Sequence, residues 1–195
     1  MYIFVRDAAG NPVFDGNGNL IPMQAKDTWD EFTPMAVVAW RFSDDVNGYA
    51  KISTGFKSGG FQYVPFTAAQ ANVLFEPEEI EAWELGYKSR LFGGRTQLNT
   101  AVFFYDYQDL QVSRIIDAGG APVSLITNAA SSEVMGFDLE VLTRVNQYLD
   151  LSLSYGFLDA TYEDYVFNVD QNLDFSDTDL VRAPNHTVNV GAETY

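Results

Sequence analysis

The sequence lacks cysteine altogether and has a single histidine, His186, among its 195 residues. Without cysteine it can form no disulfides, thiolate metal sites or cysteine nucleophiles. One histidine cannot build a multi-histidine metal site, and we expect His186 to lie at the surface where a strand begins. No serine stands in a nucleophile-elbow context, and Ser58-Gly59-Gly60 lacks the lysine and the helix of a phosphate loop. The sequence therefore predicts no enzyme activity and no cofactor.

Positive charge is also scarce. The chain has 11 Lys and Arg residues against 27 Asp and Glu residues, which gives a formal net charge of -16. Nucleic-acid binding and docking on an anionic membrane surface both need clustered basic residues, so neither is expected. The acidity suits a polar lumen with solvated loops, and it suits a soluble protein equally well.

Long hydrophobic runs are the third absence. The chain is 47% hydrophobic, yet its mean hydropathy is -0.10. The longest notable apolar run, at residues 35–40, is far shorter than the about 20 residues that a membrane-spanning helix needs. If this chain crosses a membrane, it therefore does so as strands.

What the sequence has instead is a two-residue alternation of apolar and polar side chains. In the clearest case, Trp83, Leu85 and Tyr87 share one face. Glu84 and Lys88 lie on the opposite face. Such alternation is typical of strands with apolar surroundings on one side and water on the other. The pattern predicts strands at residues 33–42, 48–56, 82–91, 95–109, 133–144, 148–158 and 186–195.

The connections between these strands alternate between short and long. Short polar turns are predicted at 43–46, 93–94 and 146–147, and long irregular segments at 57–78, 111–132 and 159–183, with a short helical turn within 67–75. The strands, at roughly 9 to 14 residues, exceed the about 5 to 6 usual in soluble proteins. Short turns at one end and long loops at the other are typical of an outer-membrane barrel. The fold class is therefore predicted as all-β, an antiparallel meander of about seven long strands. A soluble all-β sandwich or small barrel that binds a ligand remains the alternative.

The segment 159–182 is the most acidic part of the chain, with seven carboxylates. Asp170, Asn172 and Asp174 have the spacing of the first ligands of a calcium loop. Phe175 stands where the turn glycine should be, and the bidentate glutamate is missing too. We therefore expect a solvated external loop and no metal site.

Six stretches of the sequence resemble the barrel of TonB-dependent outer-membrane receptors, in the usual order and spacing of that family. They are GFKSGGF (55–61), FEPE (75–78), WELGYKS (83–89), AVFFYDYQDLQV (101–112), NAASSEVMGFDLE (128–140) and APNHTVNVG (183–191). The resemblance spans about residues 32–195 and is nearest to the iron-complex receptors. On this basis, residues 31–195 are predicted as part of the barrel and residues 1–30 as a loop or short hairpin that precedes it.

The resemblance implies a 22-stranded transmembrane β-barrel in the outer membrane of a Gram-negative bacterium, closed by an amino-terminal plug. It implies active uptake of ferric siderophores or similar scarce cargo, driven by the TonB complex; a passive porin-like channel is the alternative. The implied partners are outer-membrane lipid and the cargo, with TonB engaged only through N-terminal parts. No signal peptide, plug, TonB box or closing strand is recognisable, so we expect the chain to be a fragment of the barrel.

Cargo recognition is expected in the external loops and the upper lumen, where aromatic and polar side chains can converge on a ligand. Lys57, Phe61, Gln62 and Tyr63 follow directly from a predicted strand into the first long loop, and they are the candidate cargo-contacting residues. The alternative is that Gly59-Gly60 simply begins a loop. The family does not fix its ligand residues by motif, so none is carried over from the resemblance.

Overall fold

The computed structural model describes residues 4, 7, 11–21, 26–62, 74–117, 122–168 and 173–195. None of these residues belongs to a helix that is long and apolar enough to cross a membrane. The described residues form eleven strands, which are β1 (Met35–Ser43), β2 (Val46–Lys57), β3 (Gly60–Phe61), β4 (Leu74–Phe75), β5 (Glu78–Leu91), β6 (Thr96–Asp117), β7 (Pro122–Asn146), β8 (Leu149–Asp164), β9 (Val166–Asn168), β10 (Leu173–Asp174) and β11 (His186–Thr194).

Seven of these strands form one antiparallel sheet within the described part of the chain. Its order is β1-β2-β5-β6-β7-β8-β11, so each long strand pairs with the next long strand along the sequence. The short strands form two separate hairpins, β3 with β4 and β9 with β10, inside the connections β2–β5 and β8–β11. The predicted all-β meander of about seven long strands is thus confirmed.

The predicted loop at 111–132 is wrong. β6 has 22 residues and β7 has 25, and their pairing continues out to Asp117↔Pro122. The segment is rich in Val and Ile, which favour strands. Two register shifts flank Leu110, and each such shift moves the following side chains to the other face, so the alternation breaks there. The predicted loop 159–183 is likewise too long, because β8 continues to Asp164.

The short turns lie where they were predicted, but the turn after β5 is longer than the two-residue hairpin expected. It comprises residues 92–95. Phe92, Gly93 and Gly94 have φ values of 54°, 68° and 85°. Gly94 N donates a hydrogen bond to Leu91 O at 3.1 Å. The two glycines adopt this left-handed region without the steric cost that a Cβ would add.

The segment at 11–21 contains a short hairpin. Phe14 and Leu20 form an antiparallel bridge, and the Asp15 carboxylate accepts hydrogen bonds from the backbone N–H groups of Asn17 and Asn19. These hydrogen bonds, the one from Asn19 first, lower the pKa of Asp15. The division of the chain near residue 30 stays a prediction. Of the predicted helical turn at 67–75, residues 67–73 lie outside the described residues and the remainder is β4.

The sheet register separates apolar from polar side chains. Directly paired residues of antiparallel strands point to the same side, so Trp40, Gly48 and Tyr87 share one face. The apolar face comprises Val38, Trp40, Gly48, Ala50, Ile52, Trp83, Leu85, Tyr87, Leu98, Thr100, Val102, Phe137, Leu139, Val141, Leu151, Leu153, Val188 and Val190. The polar face comprises Tyr49, Lys51, Glu84, Gly86, Lys88, Gln97, Asn99, Phe103, Tyr105, Gly136, Asp138, Glu140, Ser152, Ser154, Thr187 and Asn189.

In the middle of this sheet, apolar side chains are more exposed than the polar side chains between them. Trp83 and Leu85 are 50% and 57% exposed, whereas Glu84 between them is half-buried. Among the described residues, the buried apolar side chains are only Ala130, Val134 and Ala160. A soluble sheet would instead bury its apolar face against a second layer. The apolar face is therefore the more exposed one, and no core forms behind it from the described residues.

Candidate functional site

Two of the predicted cargo-contacting residues lie at the start of the first long connection. Lys57 ends β2, and its Nζ lies 3.2 Å from Glu78 Oε2 while 60% of its side chain stays exposed. Phe61 lies in β3, where it pairs with Leu74. Its ring contacts that of Trp29 edge-on, with ring centroids 6.1 Å apart.

Gln62 is the most enclosed of the predicted residues, at 5% exposure. Its Nε2 donates to Ile126 O at 2.6 Å, and its Oε1 accepts from Ile126 N at 2.9 Å. Both polar atoms of the Gln62 amide are thus hydrogen-bonded to the backbone of the β6–β7 hairpin. These two bonds attach the loop to the hairpin. Tyr63 lies outside the described residues. Contact of these four residues with cargo stays a prediction.

Two further amide side chains, which the sequence analysis missed, join the same connection to the β6–β7 hairpin. Gln111 on β6 and Asn128 on β7 are direct cross-strand partners. Gln111 Nε2 donates to the carbonyl oxygens of Ser58 at 3.0 Å and Glu76 at 3.1 Å. Asn128 Nδ2 donates to Glu76 O at 2.8 Å, and Glu76 N donates to Asn128 Oδ1 at 2.7 Å. We call Gln111 and Asn128 the amide clasp.

The amide clasp sits where the register of β6 shifts. Asn128 Nδ2 also donates at 2.8 Å to the carbonyl of Asp109, a residue with φ of 53°. Gln111 N donates at 3.0 Å to Glu78 Oε2, the atom that pairs with Lys57. The clasp thereby holds the β2–β5 connection at two places, at Ser58 just after β2 and at Glu76 just before β5. Its partners lie between 19 and 53 residues away in sequence, so no local pattern could have revealed it.

Aromatic rings lie across glycines at the centre of the polar face. Tyr49 covers Gly86 and Phe103 covers Gly136, and each pair is directly opposed in the register. A Cβ at either glycine would overlap the ring, so glycine is required for this close approach. The Tyr49 hydroxyl donates a hydrogen bond to the Glu84 carboxylate, which fixes the ring across the strand.

Polar side chains continue along this face towards the short turns. Lys88 Nζ lies 5.8 Å from the centre of the Tyr49 ring, and Asn99 Nδ2 donates to Glu140 Oε2 at 2.9 Å. These side chains border an open trough of about 620 Å³ together with Asp138. A face of mixed charges, amides and rings suits a water-filled interior.

The remaining candidate ligands do not form a metal centre in the described part of the chain. Asp170 and Asn172 lie outside it, and Asp174 accepts a hydrogen bond from Ser176 N at 2.9 Å. The side chain and backbone of Ser176 lower the pKa of Asp174. His186 is exposed at the first residue of β11. Nowhere in the described ranges do three or more His, Cys, Asp or Glu side chains come together to hold a metal ion.

The outward apolar face and the polar opposite face define part of the wall of an outer-membrane β-barrel. The model of the family "TonB dependent receptor-like, beta-barrel" matches residues 7–195. The chain belongs to this family. Its members are outer-membrane β-barrel receptors of Gram-negative bacteria, so the chain is a receptor segment of that membrane and not an enzyme.

Relatives and solved structures agree with this assignment. The metal-pseudopaline receptor CntO of Pseudomonas aeruginosa is 26% identical over 144 residues, covering 74% of this chain and 19% of the relative. The pesticin receptor of Yersinia enterocolitica is 25% identical over 127 residues, covering 65% of this chain and 18% of the relative. The chain therefore spans about a fifth of the length of these curated relatives.

The fold of the chain recurs in solved crystal structures. The ferric yersiniabactin uptake receptor FyuA of Yersinia pestis superposes with a TM-score of 0.69 at 18% identity, over 91% of this chain and 25% of FyuA. The ferric-catecholate import receptor Fiu of E. coli K12 superposes with a TM-score of 0.61 at 14% identity, over 99% of this chain and 27% of Fiu. At these identities, the likeness concerns the fold.

Proposed function

We propose that the chain forms part of the barrel of an active transporter, which takes up ferric siderophores or similar metal chelates and is driven by the TonB complex. Its family membership supports the TonB dependence. The cargo class is supported by relatives named as receptors for metal-pseudopaline and for pesticin, and by structural neighbours named for ferric yersiniabactin and ferric catecholates. Residues 31–195 supply barrel wall, and residues 1–30 lead into it.

The membrane part of this proposal rests on one observation, which is that the apolar face of the sheet is more exposed than the polar face. Leu85 and Val102 are direct partners on the apolar face and are 57% and 47% exposed. Exposed apolar area of this extent is costly in water and is favourable against acyl chains. A soluble binding module would cover these side chains, so the soluble alternative does not fit the faces.

The cargo-contacting part of the proposal rests on the loop that the amide clasp holds. Lys57 offers an exposed ammonium and Phe61 a half-buried ring on the same short segment. Gln62 ties this segment to Ile126, and Tyr63 follows it. We propose that Lys57 and Phe61 contact cargo directly, that Gln62 holds the segment in place, and that Tyr63 adds to the contact.

Uptake of a labelled ferric chelate by cells that carry the whole receptor tests the transport proposal. We expect uptake with an intact TonB complex and no uptake after its removal, with cargo binding retained in both strains. A passive porin-like channel would take up the chelate equally well in the two strains. Equal uptake would therefore contradict the active-transport proposal.

A further inference from the structure

The apolar face is interrupted by a groove beside Gly48. The groove has a volume of about 560 Å³, within the range of about 300–1,000 Å³ typical of ligand sites. No charged residue of the described chain lines it. Its principal walls are Trp40, Phe42, Leu85, Tyr87, Val102 and Phe137.

Gly48 lies at the floor of the groove, between two aromatic side chains. Trp40 and Tyr87 are the direct register partners of Gly48 on its two neighbouring strands. A Cβ at Gly48 would lie 3.3 Å from the Phe42 ring and 3.3 Å from Gly86 O, which is tighter than ordinary contact. Gly48 itself is buried, whereas Trp40 and Phe42 are 47% and 68% exposed. Because Gly48 has no side chain, the Phe42 ring lies close against the strand, and the groove opens between these exposed aromatic walls.

The position of the groove along the strands indicates which kind of ligand it can bind. Gly48 lies about 10 Å along the strand from the short β1–β2 turn, at about 3.3 Å per residue. Short turns mark the periplasmic side of an outer-membrane barrel. The groove is continuous with the apolar face, which meets the bilayer, so the apolar group that reaches it is a lipid acyl chain. In this leaflet the lipids are phospholipids.

We propose that this groove binds one acyl chain of a phospholipid from the periplasmic leaflet. The chain runs along Leu85, Val102 and Phe137, and the glycerol region of the lipid lies beside Trp40 and Tyr87, whose rings combine an apolar body with one polar N–H or O–H. The proposal requires only the outer-membrane location and is independent of the cargo and of TonB.

Photo-crosslinking of the whole receptor in phosphatidylethanolamine bilayers tests the proposal. The probe is phosphatidylethanolamine with a diazirine on one acyl chain, and the labelled peptides are mapped by mass spectrometry. We expect the labelling around Leu85 and Tyr87 to saturate at a low probe fraction. Labelling at Leu151 and Val190, elsewhere on the apolar face, should rise in proportion to the probe.

Filling the groove should abolish the saturable labelling. Gly48→Leu is the filling variant, and Ala50→Leu is its control, because Ala50 is the next residue of β2 on the same face and does not line the groove. If Gly48→Leu fails to assemble, Phe42→Ala removes an exposed wall and should cause the same loss. Proportional labelling at every position, or saturable labelling that survives either variant, would overturn the proposal. Saturation by a photoreactive lipopolysaccharide in place of the phospholipid would overturn it as well.

Discussion

The role of the amide clasp is tested most directly by the substitution Asn128→Leu. The change keeps a side chain of similar size and removes its hydrogen-bonding groups. It deletes the two bonds with Glu76, at 2.8 Å and 2.7 Å, and the bond to the carbonyl of Asp109 at 2.8 Å. The segment at Glu76, just before β5, should then separate more often from the β6–β7 hairpin.

The expected cost follows from these three bonds. Each net hydrogen bond contributes about 0.5–1.5 kcal/mol. The partners are exposed backbone groups that water can satisfy in the open state, so the low part of the range applies. A total of about 2 kcal/mol corresponds to an about 30-fold rise in the population of the locally open state.

Hydrogen exchange of the solubilised receptor measures this rise. The Glu76 N–H, which donates to Asn128, should exchange faster by that factor, while amides in the middle of β5 keep their protection. Asn99→Leu is the matched control, because Asn99 bonds to Glu140 near the short turns. Unchanged protection at Glu76 in Asn128→Leu, or an equal loss in Asn99→Leu, would refute the role assigned to the clasp.

Three further predictions concern the two faces and the candidate loop. Leu85→Arg on the apolar face should cost about 2–4 kcal/mol and reduce the heat-modifiable, assembled form on gels, whereas Ser154→Arg on the polar face should assemble normally. Equal assembly of both would contradict the assignment of the faces. Gly136→Val should cost about 1–3 kcal/mol in urea unfolding, because its side chain overlaps the Phe103 ring and the carbonyl oxygen of Phe157. Adding Phe103→Ala should recover the part of this cost that comes from the ring, and a cost that the second change leaves untouched would argue against this packing. Lys57→Ala should change the free energy of unfolding by about 1 kcal/mol at most, since the Lys57 side chain is 60% exposed and Gln111 N still donates to the Glu78 carboxylate. It should nevertheless weaken cargo binding in a titration; unchanged affinity would remove Lys57 from the cargo-contacting set.

The positions of the long strands could be predicted because a strand that separates two environments imposes a two-residue period. Leu98 and Val102, for example, fall on one face in the sequence and in the register alike. Beyond Tyr107 the two-residue period no longer holds. The register shifts there, with Asp109 at positive φ, put successive residues out of phase, so the outer half of the β6–β7 hairpin read as a loop.

The candidate site was less accessible to prediction than the fold. Proximity to a predicted strand end was enough to select Lys57 and Phe61. It could not show that Gln62 bonds to Ile126, 64 residues away, or that Gln111 and Asn128 hold the same loop. Such contacts depend on which strands become neighbours. The sequence around a polar residue does not indicate which distant backbone group its side chain will bind.

The function proposed here depends on the apolar face meeting lipid and the polar face meeting water. Labels at two adjacent residues of β5 can test this arrangement. The sequence has no cysteine, so Glu84→Cys and Leu85→Cys each introduce one labelling site for a nitroxide into this segment. In the bilayer-embedded receptor, we predict that the label at 85 is accessible to oxygen dissolved in lipid, and that the label at 84 is accessible to a water-soluble nickel chelate. Equal accessibility at both positions, or the reverse order, would contradict an apolar face turned towards lipid.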